Sequence, residues 1–480
     1  MSKSFFLKQA AWFKDSIREF SVPDEFEVDI INPNDAPPID NKAIAYAIDH
    51  PFGASLNERL VGKCRVVFVV DDLGRPTPAH DIIPVIIPYL TKVGIKDKDI
   101  SFVIATGSHR QLSIDEMKLK LGSTVAEKYS VHCHDAFNSK LVHLGTLENG
   151  FPCIANKIVA EADIIIGIGC VIPHACHGFG GGAKLFCPGI AGMESIVTMH
   201  GFTPKRGRVV MDIPEGEWDM RSASEAFAEK LPPIFLINVV MNSQREMCGI
   251  FAGNINDTFR AARTMAAQVY RTEIDPKKAQ QYDVVFVNMY PLDSDPVQSG
   301  KSPWIKKFFK NAVAIQINSS ADGIDYHGWK LLRRSRITTL IILLIGEGLS
   351  LKFMPSIFRK PASWSVLKKL RSYCVRKMLD NPGVDYASFI EKWSSKSKIE
   401  NKDFVEKKEL IPSLSSSPWI FSENYPPLQF QKKYPSGTLL QSWDRVMDVI
   451  RHYYPKAKIA VVTCAPVQIP VLKGNDESVD

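Results

Sequence analysis

The sequence predicts an α/β protein of two α/β domains, with mainly parallel sheets and helices on both faces. Three observations carry that prediction. Short runs of β-branched and aliphatic residues recur along the chain, as strands buried on both faces require. Amphipathic stretches of helical period lie between them. Most of the runs end in loops rich in Pro, Gly, Asp and other polar groups. Alternation of this kind builds βαβ units rather than hairpin sheets.

The elements follow in order. The N-terminal stretch MSKSFFLKQAAWFKDSIREF carries acids and lacks a continuous apolar run, so it is read as an amphipathic helix and not as a signal peptide. Arg65–Val70 is a buried-strand run and ends in DDLGRPTP (71–78). Residues 80–94 are helical. Ile100–Ile104 is a second strand and ends in ATGSHR (105–110). Ser113 starts a helix with Asp115 and Glu116 in its first turn. Tyr129–His134 is a strand, and Asp163–Ile166 begins another. The loop and helix after it, from Gly167 to His200, hold His174, His177, a glycine run (Gly178, Gly180, Gly181, Gly182), Lys184 and His200. On that helix Met193, Ile196, Val197 and His200 share one face. A long amphipathic helix is expected over Asp257–Arg271 and a linker over Thr272–Gln280, which contains Pro276. The expected domains are therefore 1–272 and 273–480. The second opens with a strand at Tyr282–Val287 and a loop carrying Gln298 and Lys301. Strands are expected at Val313–Ile317, Ile337–Ile345 and Lys458–Thr463, with a polar surface excursion over 394–436.

Composition narrows the class of partner. A chain of 480 residues, 45% hydrophobic, can bury a large core in two or three domains. The net charge of +7 is mild for that length and suits an anionic small molecule as well as any polyanion. The basic stretch 352–377 lacks interleaved aromatics, so it reads as a solvated helix face, and no nucleic acid is expected. The run Ile337–Ile345 is too short to span a bilayer, and no membrane is expected. Nine cysteines without any C-x-x-C pair argue against a zinc ribbon or dithiol site and for a reducing, cytoplasmic compartment.

Four strand-end loops each carry polar groups: Asp72 with Arg75, His109 with Arg110, His174 with Lys184, and Gln298 with Lys301. In open α/β sheets ligands bind beyond the carboxyl ends of the strands, so these loops are expected to converge on one crevice between the domains. His109 and His174 titrate near neutrality and are candidates for acid–base work. His177 is read as an exposed loop histidine, and His200, from the sequence alone, as a hydrogen-bonded core histidine. Lys184 is either a phosphate-binding point charge or a covalent anchor. It is no P-loop lysine, because the G-x-x-x-x-G-K-[ST] spacing is absent and Leu185 follows it. No G-x-G-x-x-G dinucleotide fingerprint, H-E-x-x-H or G-x-S-x-G is present in register.

The motifs DDLGRPTP (71–78), ATGSHR (105–110), H-x-x-x-GFGGGAK…PGIAG (174–192) with a histidine at 200, and QSGK (298–301) together resemble the nickel-pincer-nucleotide lactate racemases and related 2-hydroxyacid racemases and epimerases. The resemblance is continuous from about 40 to 205 and fainter to about 330. It implies that Lys184 tethers a pyridinium mononucleotide bearing two sulfur substituents, that His200 is the one protein ligand to nickel, and that His109 and His174 are paired acid–base groups. It further implies that Asp72, Arg75, Gly181 and Gly182 hold the cofactor and that Arg75, Gln298 and Lys301 hold a 2-hydroxy acid. Cofactor-maturation proteins would be its partners. Three positions depart from the family's pattern. His177 stands where the family has a small residue, Gly180 where it has serine, and Val297 where it often has an aromatic. The competing readings are a nicotinamide-dependent 2-hydroxyacid oxidoreductase and a non-catalytic nucleotide-binding relative.

Overall fold

The computed structural model describes residues 3–137, 139–147, 149–174, 177–200, 220–295, 302, 304–322, 418–434 and 437–473. In chain order its strands are β1 (Lys3–Gln9), β2 (Ser16–Val22), β3 (Glu27–Ile31), β4 (Val66–Asp71), β5 (Ile100–Ala105), β6 (Ser130–Cys133), β7 (Leu141–Thr146), β8 (Pro152–Asn156), β9 (Ile164–Cys170), β10 (Pro173–His174) and β11 (Gly178–Phe179). They continue as β12 (Ile234–Met241), β13 (Met247–Gly253), β14 (Arg271–Ile274), β15 (Val284–Asn288), β16 (Val313–Ile317), β17 (Trp419–Phe421), β18 (Thr438–Leu440), β19 (Lys458–Val462) and β20 (Ile469–Leu472).

Two six-stranded sheets organise the molecule. The first has the order β13-β12-β9-β4-β5-β6 and is parallel except for its edge strand β13. Alternation along β4 explains why the strand is buried on both sides. Val66, Phe68 and Val70 enter one core with Ile82, Ile83, Ile86 and Leu90 of the helix Ala79–Lys92. Val67 and Val69 enter a second core with Met193, Ile196 and Val197 of the helix Met193–His200. The second sheet has the order β18-β17-β16-β15-β19-β3 and is parallel throughout. The expected α/β class with mainly parallel sheets and helices on both faces is what the chain adopts.

Three local expectations change. The N-terminal stretch is not a helix: β1 and β2 form an antiparallel hairpin, with Lys3 opposite Val22 and Gln9 opposite Ser16. The buried positions Phe5, Leu7, Phe20 and Val22 alternate with exposed ones, which is strand period, not helix period. The segment expected as a linker is instead structured, with β14 paired in parallel to β20 and a short helix Pro276–Ala279 capped by Asp275. The division at 272 is crossed by the sheets, because β3 lies beside β19 and Phe5, Phe20 and Phe26 pack with Phe286 and Val461. The second unit is thus built from both ends of the chain. The expected strand Ile337–Ile345, the basic stretch 352–377 and most of the excursion 394–436 lie outside the described residues. Among the described residues no helix is long and apolar enough to cross a membrane.

Candidate active site

Three loops at the carboxyl ends of β4, β5 and β9 are bonded to one another. The first, after β4, is fixed from beneath by Lys120, which is fully buried on the helix Ile114–Leu121. Its ammonium donates to the carbonyl oxygens of Asp72, Arg75 and Thr77 at 3.1, 3.2 and 3.1 Å. All three protons are therefore used on the loop, and the 2.7 Å approach to Asp71 Oδ1 is an ionic contact. Asp71 Oδ2 accepts from the Thr77 hydroxyl and from Cys170 N, tying the same loop to the end of β9. A buried charge needs this degree of pairing to be tolerated.

The loop so held presents Asp72 to His109. His109 Nδ1 lies 2.5 Å from Asp72 Oδ2, and Asp72 is buried. A carboxylate at that distance accepts from Nδ1–H and leaves the basic lone pair on Nε2. Burial by itself raises the Asp72 pKa. The facing His109, through charge and hydrogen bond, with Arg75 and Lys120 behind it, outweighs burial and holds the carboxyl at about 2. Asp72 therefore orients His109, a role the sequence did not suggest.

The second loop, after β5, joins the third. Gly107, at φ 56°, donates to the Gly189 carbonyl at 2.9 Å, and a Cβ there would stand 3.3 Å from Pro188 O. Next to His109, Arg110 is bonded to both Glu116 and Asp322, so this loop also reaches the turn after β16. The third loop runs from β9 through the two-residue hairpin β10–β11, where His174 lies opposite Gly178. It continues into a 3₁₀ turn, Gly182–Leu185, that carries Lys184. The reason for the glycines is visible there. Gly181 and Gly182 have φ 76° and 60°, and added Cβ atoms would fall 2.6 Å from Val171 Cγ2 and 2.8 Å from Phe259 Cδ2. These glycines let the loop sit tightly on its own core, where Asn238 Oδ1 also accepts from Gly182 N.

His200 is half-buried at the end of its helix, and its Nδ1 donates to Ile196 O at 2.7 Å. That bond puts the lone pair on Nε2, the form a metal ligand needs. His177, expected on the surface, is 1% exposed. Its ring stands edge-to-face to His174 with centroids 5.3 Å apart. Burial pushes its pKa well down, and its electrostatic interactions with Lys184, Arg221, His200 and Arg75 push the same way, favouring the neutral ring. Four of the candidate groups thus bear on one imidazole: His174 packs against it, and Lys184, His200 and Arg75 lie within electrostatic reach of it. Arg221 had no signal in the sequence. It donates to the carbonyls of His177 and Phe179 and lies over the Phe259 ring, 3.9 Å from its centroid. Gln298 and Lys301 lie outside the described residues. Among the described residues no group of three or more His, Cys, Asp or Glu could hold a metal ion. A single imidazole beside a lysine and glycine backbone is compatible with a metal that takes its other donors from a bound group.

Comparison with known proteins bears on the same segment. Residues 13–210 match the family described as the lactate racemase N-terminal domain. The chain is 31% identical over 263 residues to a lactate racemase of Thermoanaerobacterium thermosaccharolyticum, covering 53% of this chain and 59% of that protein. It is 30% identical over 270 residues to a lactate racemase of Lactiplantibacillus plantarum, covering 55% and 61%. It thus spans about three fifths of the length of these curated relatives. In three dimensions it resembles the lactate racemase apoprotein of T. thermosaccharolyticum, with a TM-score of 0.62 at 21% identity over 97% of this chain and 100% of that one. It also resembles a protein from Thermotoga maritima, with a TM-score of 0.58 at 19% identity over 92% and 100%.

Proposed function

We propose that this chain, whose residues 13–210 match the lactate racemase N-terminal domain, is an isomerase that inverts carbon 2 of a 2-hydroxy acid. The observation that carries this reading is the His109–Asp72 pair set among three bonded loops with His174, Lys184 and His200. In this reading Lys184 tethers a nickel-pincer pyridinium mononucleotide and His200 Nε2 is the protein's ligand to its nickel. Gly181 and Gly182 shape the turn that presents the tether. Bound there, the pyridinium supplies a hydride acceptor, which no side chain provides.

The residues of the chain then have separable tasks. The hydroxyl proton of the substrate leaves to a histidine as the carbon–hydrogen bond breaks. His109 Nε2 serves one enantiomer, with Asp72 holding its ring and stabilising the imidazolium. His174 serves the other, because inversion moves the hydroxyl to a different place. Arg75, Gln298 and Lys301 hold the substrate carboxylate, the arginine in bidentate fashion. The site is taken to face the second unit, and the Arg110–Asp322 contact beside His109 supports that. The chain is taken to work in the cytoplasm beside the cofactor-maturation proteins.

The test is intact mass, metal content and a chiral assay over a panel of 2-hydroxy acids, on the full chain produced with maturation proteins. An adduct lost in Lys184→Ala, nickel lowered in His200→Ala and interconversion of enantiomers are expected. A protein with no adduct that instead oxidises 2-hydroxy acids with added nicotinamide cofactor would replace this reading with an oxidoreductase.

A further inference from the structure

His177, one of the departures from the family pattern, is buried and packs against His174. Ser224 decides its tautomer. The Ser224 hydroxyl lies 2.7 Å from Cys187 O and 2.8 Å from Met220 O, so its single proton is committed to a carbonyl. Towards His177 Nε2, at 3.4 Å, it offers a lone pair. Nε2 therefore carries the ring proton, and Nδ1 is a bare acceptor. Among the described residues Nδ1 is buried and has no hydrogen-bond partner. The ring is 1% exposed and packed against His174, and Arg221 holds the backbone that carries it through two bonds to the His177 carbonyl. A buried acceptor of this kind is stabilised by a ligand that brings a donor.

The surroundings select the donor. A carboxylate is repelled by the Nδ1 lone pair. An ammonium is disfavoured by the permanent charges of Arg221 and Arg75, both of which act at this ring. A neutral hydroxyl remains. The edge-to-face packing on His174 at 5.3 Å sets where that hydroxyl is carried. If His174 attends the hydroxyl on carbon 2, a neighbouring ring reaches the substituent on the next carbon. Resting on the racemase reading, we propose that His177 is a specificity-determining residue. It accepts a hydrogen bond from a hydroxyl on carbon 3, so that the chain takes 2,3-dihydroxy acids in preference to lactate.

Glycerate and lactate differ by that one hydroxyl and are the probes. Their dissociation constants are measured by calorimetry on the full chain made with maturation proteins, for the wild type, His177→Ala and His177→Asn. The wild type is expected to bind glycerate at least about tenfold tighter than lactate, since lactate leaves the buried acceptor unpaired. His177→Ala should bring the two within about twofold. His177→Asn, whose amide oxygen replaces Nδ1 as acceptor, should keep most of the preference. Equal affinities in the wild type, no binding of either acid, or a preference untouched in His177→Ala overturns the inference, and the wild-type ratio decides even where a variant is insoluble. Turnover is scored separately. A preference that behaves as expected without interconversion of enantiomers leaves this inference standing and removes the racemase reading.

Discussion

The Asp72–His109 pair concentrates two effects in one contact. The carboxylate is buried yet held at about 2, because His109, Arg75 and Lys120 favour its charged form by more than burial opposes it. Asp72→Asn keeps the shape but lets the amide present either end to Nδ1. Turnover should fall by roughly 10²- to 10³-fold with little change in substrate affinity, read as a loss in kcat at near-constant KM. The same contact has a stability signature. The folded pKa lies below the ordinary value of 3.8, so its contribution is present above about pH 4 and is lost as pH falls through about 2. The contribution is on the order of 2 kcal/mol, and acid unfolding of Asp72→Asn should lack that increment between those limits. Little of this was legible in the sequence. Asp72 and His109 stand 37 residues apart, and only the pairing of β4 with β5 brings their loops together. Lys120 sits on an ordinary amphipathic helix, and nothing local marks it as the post under the loop.

Elements were far more legible than contacts, for a physical reason. The strands β4, β5, β9, β15, β16 and β19 lie within a few residues of their expected bounds, because a strand buried on both faces must be apolar throughout and must stop at a polar loop. The Ser113 start is confirmed by a reciprocal capping box with Glu116. The hairpin β1–β2 was misread because Phe5 and Phe6 are adjacent. Phe6 points to solvent at 62% exposure, so the apolar pair hides the alternation of Phe5 with Leu7. His177 was misread because loop burial depends on Arg221 and Ser224, more than forty residues away. The turn after Lys184 makes its own prediction. An added Cβ at Gly189 would stand 1.9 Å from Leu185 O, a backbone atom that no side-chain rotation can clear. Gly189→Ala should therefore destabilise the chain by about 3 kcal/mol, measured by chemical denaturation, and should disturb Gly107, which bonds to the Gly189 carbonyl.

At the scale of the molecule, the loop between β1 and β2 ties the two sheets together. Its strands belong to the second unit, but Ala11 and Trp12 enter the core of the first. Trp12 donates to Arg75 O at 3.2 Å, and its ring takes Lys120 Nζ at 4.9 Å and the Arg245 guanidinium at 4.1 Å. Ala10, Trp12 and Lys14 all have positive φ, a conformation that non-glycine residues keep only when their surroundings enforce it. One enforcing group is Asp293, just beyond β15, which accepts from Ala10 N at 2.7 Å and Ala11 N at 3.4 Å. Trp12→Ala should cost about 3–5 kcal/mol of stability, with loss of cooperativity between the two units in a calorimetric scan. Asp293 gives this strap a pH dependence. Burial raises its pKa from 3.8 to about 6, against the two backbone donors that favour the charged form. A raised folded pKa means stability that is full below about pH 4 and is lost as pH rises through about 6. Asp322 is also raised to about 6, so the wild-type slope alone does not isolate one group. Asp293→Asn does, since its amide oxygen still accepts from Ala10 N but carries no charge. Denaturation midpoints at pH 4.5 and 7.5 should then show the wild type losing on the order of 2 kcal/mol more than Asp293→Asn across that interval. Equal losses in the two proteins would mean that the strap is held without any titration at Asp293.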